Sequence, residues 1–206
     1  MRSIKVTPIM TGIIGLVIGI AIILVVRFAT YSAPEQPHYH ANFAVYIDGT
    51  REPFKGRGYY EETAAEMCSL QQVETPKQRA HMHDNVGDVV HVEDHLVTWG
   101  NFMQNLGWGL GNDYLKTKDT MYVNGDTGKL SFILNGQKVD SISDQIIQDK
   151  DKLLISYGTA DSAQLQEQYK SVTNTAVTYD NSKDPASCGG SGRAPVTALQ
   201  RLQHLF

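Results

Sequence analysis

Residues 9 to 26 form an unbroken run without a charged side chain, and Arg27 ends it. As an α-helix at roughly 1.5 Å per residue, this run spans about 27 Å, which is close to the hydrocarbon thickness of a bilayer. The sequence therefore predicts a transmembrane anchor over residues 9–27 that contacts the lipid bilayer, preceded by a short N-terminal segment at residues 1–8.

The charges around this run predict the orientation of the anchor. Arg2, Lys5 and the amino terminus precede it, whereas Arg27 alone follows closely. By the positive-inside rule, this favours a single-pass protein of the cell membrane with a cytoplasmic N-terminus and an extracytoplasmic remainder. A cleaved signal peptide is the alternative, but its apolar region usually covers about 7–15 residues and ends at a small-x-small site, which residues 27–33 lack. Both interpretations export the rest of the chain.

Two further features concern binding partners. Gly15 and Gly19 form a GxxxG pattern that would let two anchor helices approach, so a homodimer is one hypothesis. The net charge is −4, and the chain has no cluster of lysine and arginine. Because non-specific nucleic-acid binding needs a basic face, the sequence predicts no nucleic-acid partner.

The two cysteines of the chain, Cys68 and Cys188, are far apart in the sequence. In an oxidising compartment they are most simply paired as one disulfide, which would stabilise the fold by up to about 5 kcal/mol through loop closure. The alternative is that Cys188 stays free in a tail rich in glycine and serine. Neither cysteine belongs to a C-x-x-C sequence, which argues against a dithiol redox centre.

The rest of the chain divides into a linker, a folded domain and a tail. Residues 28–37 form a linker that contains proline, and residues 38–160 carry the strand patterns of an extracytoplasmic β-rich domain, with 38–110 and 118–160 as candidate sub-parts. Residues 161–206 have few large apolar side chains and are predicted to be mostly disordered. The predicted fold class is α+β, mainly antiparallel β with a short packed helix, after the N-terminal transmembrane helix.

Hydrophobic periodicity and turn residues predict the elements of the domain. Every second side chain from Tyr39 to Ile47 is apolar, and Asp48-Gly49 follows as a hairpin turn. The other predicted elements are a short helix within 61–70, a hairpin over 80–92, a helix from Thr98 to Gly107, strands at 120–124, 130–134, 137–139 and 152–157, and a turn at Asn135-Gly136.

Six of the seven histidines fall in two short stretches of the chain. Side chains two apart in a strand lie on one face, so each His-x-His pair presents two imidazoles to the same side. His38 and His40 alternate with the apolar residues of their strand and should therefore project away from the main core. Imidazole is the commonest protein ligand for late transition metals. The candidate metal ligands are His38, His40, His81, His83 and His91, with Asp84 and Glu93 as their hydrogen-bond partners or as an oxygen ligand.

The second hairpin could bring its histidines together across the turn. If residues whose numbers sum to 174 face each other, His83 lies opposite His91 and His81 lies opposite Glu93. Directly opposed Cβ atoms are about 4.5–5.5 Å apart, which is near enough for two side chains to share an ion. Three other candidates are not expected to be ligands: Met82 points to the other face, His95 ends the strand and His204 lies in the tail.

Three sequence blocks carry a resemblance to a known family. They are His38–Phe43 with Tyr46–Gly49; His81–Asp84, His91–Glu93 and Thr98–Phe102; and Phe132–Gly136 with Leu153–Gly158. Together, over roughly residues 38 to 158, they resemble an uncharacterised family of small exported, membrane-anchored His-x-His proteins of candidate-phyla bacteria and archaea. Some members of that family are labelled protein-disulfide isomerase, and the resemblance implies an exported domain with the same layout.

Three functions remain open on these residues. The first is a membrane-anchored extracytoplasmic domain that binds a transition metal, copper or zinc, because neutral imidazole suits both ions. The second is an envelope protein like a thiol–disulfide isomerase, and the third is a surface interaction module whose histidines are merely exposed. No G-x-S-x-G sequence or P-loop is present, so no catalytic residue is assigned, although an open position on zinc could activate water.

Overall fold

The structure is a computed structural model that describes residues 8–32, 37–60, 75–181 and 196–205. The chain forms two compact units, one of residues 1–35 with 192–206 and the other of residues 36–191. The strands are β1 (Tyr39–Ile47), β2 (Thr50–Arg51), β3 (Ala80–His81), β4 (Val89–Val92), β5 (Gly109–Leu110), β6 (Tyr114–Lys116), β7 (Met121–Val123), β8 (Lys129–Leu134), β9 (Gln137–Val139) and β10 (Lys152–Gly158). The helices are α1 (Pro8–Thr30), α2 (Pro76–Arg79), α3 (Trp99–Asn105), α4 (Ser162–Lys170), α5 (Ala176–Asn181) and α6 (Ala198–Gln203), with a 3₁₀ turn at Arg57–Tyr59.

Helix α1 coincides with the predicted anchor. It has 23 residues, none of which is buried in the protein, and by length and composition it could cross a membrane or serve as an N-terminal signal sequence. Within the same unit, Arg201 of α6 donates a hydrogen bond of 2.7 Å to the carbonyl of Phe28. A Cβ atom built on Gly15 or Gly19 would meet nothing within 4 Å. Dimerisation through these two glycines stays a prediction.

Strand β1 lies in the middle of the larger sheet, whose order is β3-β4-β1-β10-β8-β9 with β2 also paired to β1. The β1–β10 pair is parallel, and the other pairs of this sheet are antiparallel. Because β1 pairs with β10, the segments 38–110 and 118–160 share one sheet. Strands β5, β6 and β7 form a second, smaller antiparallel sheet. The predicted α+β class, mainly antiparallel with a packed helix and an N-terminal apolar helix, is confirmed.

The alternation in β1 determines which of its side chains enter the main core. Phe43 and Val45 have no exposed surface and pack in the same cluster as Trp99 and Phe102 of α3. The rings of Phe43 and Phe102 meet edge to face with centroids 4.9 Å apart, a favourable arrangement for aromatic pairs. His40 alternates with these residues and therefore lies on the opposite face of the sheet, as predicted.

That opposite face is covered by the chain beyond residue 160. The sequence predicted disorder there, whereas the structure forms helices α4 and α5. Ala44 of β1 shares a second buried cluster with Leu165 of α4 and Val172. The few apolar side chains of this segment thus pack against that face of the sheet.

Polar groups hold the start of α5 against β1. The side-chain nitrogen of Asn42 donates to the hydroxyl of Thr173 at 2.7 Å, and its side-chain oxygen accepts from the backbone nitrogen of Ala176 at 2.9 Å. Asn42 and Ala176 are both buried, so these hydrogen bonds are shielded from water. They fix the chain that leads to Asp180.

The predicted turns and helix ends are confirmed. Both central residues of the Asp48-Gly49 and Asn135-Gly136 turns have positive φ, between 48° and 83°, as a two-residue hairpin turn requires. The Thr98 side chain accepts a hydrogen bond of 3.1 Å from the backbone nitrogen of Asn101 and so caps α3. Gly107 follows this helix with φ of +80°.

The register of the β3–β4 hairpin differs from the prediction. His81 pairs with His91, so paired residue numbers sum to 172, and the predicted pairing of His83 with His91 is wrong. The cause is a tight turn that begins at His83, in which Asp84 and Asn85 both have φ of 56° and Val86 donates to the His83 carbonyl at 3.0 Å. A shift of two residues keeps the histidines on the same face.

Three sequence predictions lie outside the described residues. One is the N-terminal segment, of which residues 1–7 are not described, and another is the short helix within 61–70. The third is the disulfide, because neither Cys68 nor Cys188 falls in a described range. All three stay predictions.

Candidate metal centre

Five histidines from two distant parts of the chain lie side by side. His91 on β4 pairs with His40 on β1 and with His81 on β3. Because cross-strand partners share a face of the sheet, these three rings form a row across three adjacent strands. The rings of His83 and His38 adjoin this row, with centroids 4.7 Å and 4.5 Å from that of His91. The structure therefore brings together the five histidines that the sequence proposed as candidate ligands.

His91 is the centre of the group. Its Nδ1 atom lies 2.9 Å from Nε2 of His40 and 2.9 Å from Nε2 of His83. His40, His81, His83 and His91 are all buried, while the side chain of His38 is 19% exposed. The nitrogens thus meet in a site that is closed to bulk water on most sides.

In three of these rings, one of the two nitrogens faces a carboxylate. A carboxylate can only accept a hydrogen bond, so we assign the ring N–H of each neutral imidazole to the nitrogen that faces it. The three pairs are His40 Nδ1 with Asp180 Oδ1 at 2.8 Å, His83 Nδ1 with Asp84 Oδ2 at 2.9 Å, and His91 Nε2 with Glu93 Oε1 at 3.1 Å.

This assignment leaves lone pairs on the nitrogens that face one another. With their N–H groups turned outward, His40 Nε2, His83 Nε2 and His91 Nδ1 are all acceptors, although the first two each lie at hydrogen-bond distance from the third. A cation between them, either a proton or a metal ion, resolves the repulsion of the lone pairs. Metal-ligating histidines are typically oriented in this way, by a carboxylate or carbonyl on the outer ring nitrogen.

His81 follows the same pattern with a backbone partner. Its Nδ1 lies 3.1 Å from the carbonyl oxygen of Lys77 in α2, and its ring stacks on that of His91 with centroids 4.9 Å apart. A carbonyl also accepts only, so Nδ1 carries the proton and Nε2 carries the lone pair. Four of the five rings therefore have an oxygen acceptor on one nitrogen.

His38 lies at the more exposed side of the group. One ring nitrogen from each of His38, His40 and His91 lies within 4.8 Å of the other two, a spacing that a single metal ion can bridge. The Nδ1 atom of His38 is also 3.8 Å from Oε1 of Glu93, which is too far for a hydrogen bond. The buried histidine cluster is compatible with metal binding.

Burial and hydrogen bonds shift the pKa values of the central groups. Desolvation lowers the pKa of His91 to about 3 and also lowers the pKa of His40 below its ordinary value. Burial alone would raise the pKa of Glu93, but His38 and His91 hold that pKa well below its ordinary value. At neutral pH the two imidazoles are uncharged, which is the form that binds a metal, and Glu93 is a carboxylate.

These shifts predict that acid destabilises the metal-free protein. Below the ordinary histidine pKa of 6.5, the unfolded chain binds more protons than the folded one, so stability falls as pH drops. Glu93 adds a loss of the same sign below its ordinary value of 4.5. We expect the loss to reach about 1.4 kcal/mol per pH unit for each histidine that stays neutral.

Thermal unfolding of the full chain in detergent and a chelator, followed by circular dichroism between pH 7 and pH 5, measures this loss. The His95→Ala variant should lose the same amount of stability, because that side chain is exposed. A midpoint at pH 5 that equals or exceeds the midpoint at pH 7 would contradict the prediction.

The structure also describes the three residues that the sequence excluded as ligands. Met82 is fully buried in the main core, His95 is exposed, and His204 stacks on Tyr31 in the other unit. Sequence reasoning missed Asp180, because its segment was predicted to be disordered. It also missed the Lys77 carbonyl, which no side-chain pattern could indicate.

Comparison of the chain with protein-family models, with curated proteins and with solved structures finds no match. The resemblance to exported His-x-His proteins therefore stays an expectation.

Proposed function

We propose that this protein is a membrane-anchored, extracytoplasmic domain that binds copper or zinc through its clustered histidines. One observation carries the proposal: Nε2 of His40 and Nε2 of His83 each lie 2.9 Å from Nδ1 of His91, and the other nitrogen of each of these three rings faces a carboxylate. Surface histidines of an interaction module have no need of such an arrangement. A metal ion accounts for the inward lone pairs and for the outward N–H groups together.

The donor set suits both copper and zinc. Neutral imidazole binds Zn(II), Cu(II) and Ni(II), with the intrinsic affinity highest for Cu(II). An ion about 2.0–2.1 Å from each nitrogen holds neighbouring nitrogens about 2.9 Å apart in a square arrangement and about 3.4 Å apart in a tetrahedral one. The observed separation is compatible with the first geometry and needs only a small outward movement for the second. The ligands of this ion are His40, His83 and His91.

We also propose that α1 is retained as the anchor and that its N-terminus is cytoplasmic. The uncharged stretch is longer than the apolar region of a typical signal peptide, and Arg2 and Lys5 precede it. The histidine cluster then lies outside the cytoplasm, where the domain could capture, buffer or deliver a metal ion.

Titration of the full chain in detergent tests this proposal. After removal of bound metal with a chelator, isothermal titration calorimetry with Cu(II), Zn(II) and Ni(II) is expected to give binding far tighter than millimolar, with Cu(II) the tightest. The His95→Ala variant should bind equally well, because the exposed His95 lies outside the cluster. If none of the three ions binds below the millimolar range, the proposed function is wrong.

The thiol–disulfide alternative rests on Cys68 and Cys188, which lie outside the described residues. It stays a prediction.

A further inference from the structure

Both ring nitrogens of His91 face other polar groups of the cluster. Nδ1 faces His40 and His83, as described above. Nε2 faces Oε1 of Glu93 at 3.1 Å, and the same oxygen lies 3.8 Å from Nδ1 of His38. A second group of potential ligand atoms therefore lies at the far end of the same imidazole.

The Nδ1 atom of His38 is buried and has no hydrogen-bond partner among the residues that the structure describes. The same holds for Oδ2 of Asp180, but that atom lies 3.4 Å from the ammonium nitrogen of Lys150. A buried polar atom without a partner costs free energy, and native proteins rarely retain one unless something binds it. The nearby Glu93 carboxylate makes a cation the natural ligand for this position.

The number of donors also exceeds what one ion needs. The cluster offers five imidazoles and the carboxylate of Glu93, whereas zinc in proteins is typically four-coordinate. Three carboxylates, Asp84, Glu93 and Asp180, contact the rings and could balance the charge of more than one dication.

We propose that the cluster holds two metal ions bridged by the imidazole of His91. This inference rests on the proposed function, because the first ion is the one held by His40 Nε2, His83 Nε2 and His91 Nδ1. The second ion is held by His91 Nε2, Glu93 Oε1 and His38 Nδ1. With each ion about 2.0–2.1 Å from its ring nitrogen, the two ions lie about 6 Å apart.

Binding of the second ion exchanges a proton for a metal. The N–H bond at Nε2 of His91 breaks, a metal–nitrogen bond forms at the same atom, and the proton leaves to solvent. His91 becomes an imidazolate that donates one electron pair to each ion.

A competing arrangement places His38 on the first ion. His38, His40 and His91 each offer a nitrogen within 4.8 Å of the others, so a single ion could take all three. The two arrangements differ in what His38 contributes: a ligand of a separate ion, or a ligand of the only ion.

Counting the ions on the full chain in detergent distinguishes these arrangements. Equilibrium dialysis against Cu(II) followed by elemental analysis is expected to give two ions per wild-type chain. His38→Ala and Glu93→Gln should each give one, and His95→Ala should give two. One ion on the wild type overturns the second site alone, whereas no ion on the wild type overturns the proposed function as well.

Electron paramagnetic resonance tests the bridge itself. Two Cu(II) ions joined by an imidazolate couple their spins, so the second equivalent of copper should lower the signal of the wild type below that of the first. In His38→Ala the signal should stay that of one isolated ion. A wild-type signal that doubles with the second equivalent would show two independent ions and overturn the bridge.

Discussion

Replacing His91 with alanine is expected to weaken metal binding severely. His91 is the only one of the five rings, among the described residues, whose contacts reach all of the other four. The Nδ1 atom of His91 faces both His40 and His83. Loss of the His91 side chain therefore removes the atom on which the other two lone pairs converge. Loss of an outer partner of a ligand typically costs about 10–100-fold in affinity, and loss of this central ligand should cost more than about 100-fold.

Calorimetric titration with Cu(II) and Zn(II) measures this loss on the full chain in detergent. Because the His91 side chain is buried, its truncation also leaves a cavity, so circular dichroism should first establish that the variant is folded. His91→Gln is a second variant that fills more of the space and should lose metal binding as well. His95→Ala is the matched control, and it should keep the wild-type affinity. Wild-type affinity in folded His91→Ala would show that the cluster is not the binding site.

Much of this site could be predicted from the sequence because strands impose a period of two. The alternation from Tyr39 to Ile47 separated the core face from the face of His40, and the His-x-His spacing set the face of His81 and His83. The same period explains the register error. A two-residue shift leaves every side chain on its own face. An apolar pattern therefore cannot distinguish the register in which paired residue numbers sum to 172 from the one in which they sum to 174.

The C-terminal part of the site could not be predicted by counting apolar residues. The segment that carries Asp180 has few apolar contacts with the sheet, those of Leu165 and Val172. It is also held by hydrogen bonds between the buried Asn42 and both Thr173 and Ala176. Hydrophobic composition does not reveal such polar contacts. The sequence of residues 161–181 therefore resembled that of a disordered tail. Asp180 is also distant from His40 in the sequence, so no local spacing relates the two residues.

Asp180→Asn is expected to weaken metal binding by about 10–100-fold without removing a ligand, which is the typical cost of changing the outer partner of a metal-bound histidine. Oδ1 of Asp180 accepts two hydrogen bonds from His40, one from the backbone nitrogen at 3.2 Å and one from the ring Nδ1 atom at 2.8 Å. The carboxylate thereby keeps the proton on Nδ1 and the lone pair on Nε2, which faces His91. A neutral amide accepts more weakly and can turn its NH₂ group toward the ring, which would favour the tautomer with the proton on Nε2.

The size and shape of asparagine make this variant a test of charge rather than of packing. The affinity for Cu(II) should fall while the metal-free chain stays folded, with a thermal midpoint lowered by the loss of the ion pair between Oδ2 of Asp180 and Nζ of Lys150 at 3.4 Å. Asp144→Asn is the matched control, because Asp144 is exposed and accepts its hydrogen bond from Ser143. An unchanged affinity would mean that Asp180 does not orient His40 for the metal. If the affinity falls only because the variant unfolds, the role of Asp180 is to stabilise α5. Among the described residues, Asp180 is the carboxylate that the C-terminal segment supplies to the cluster. A selective loss would make that segment part of the metal centre as well as the cover of the sheet.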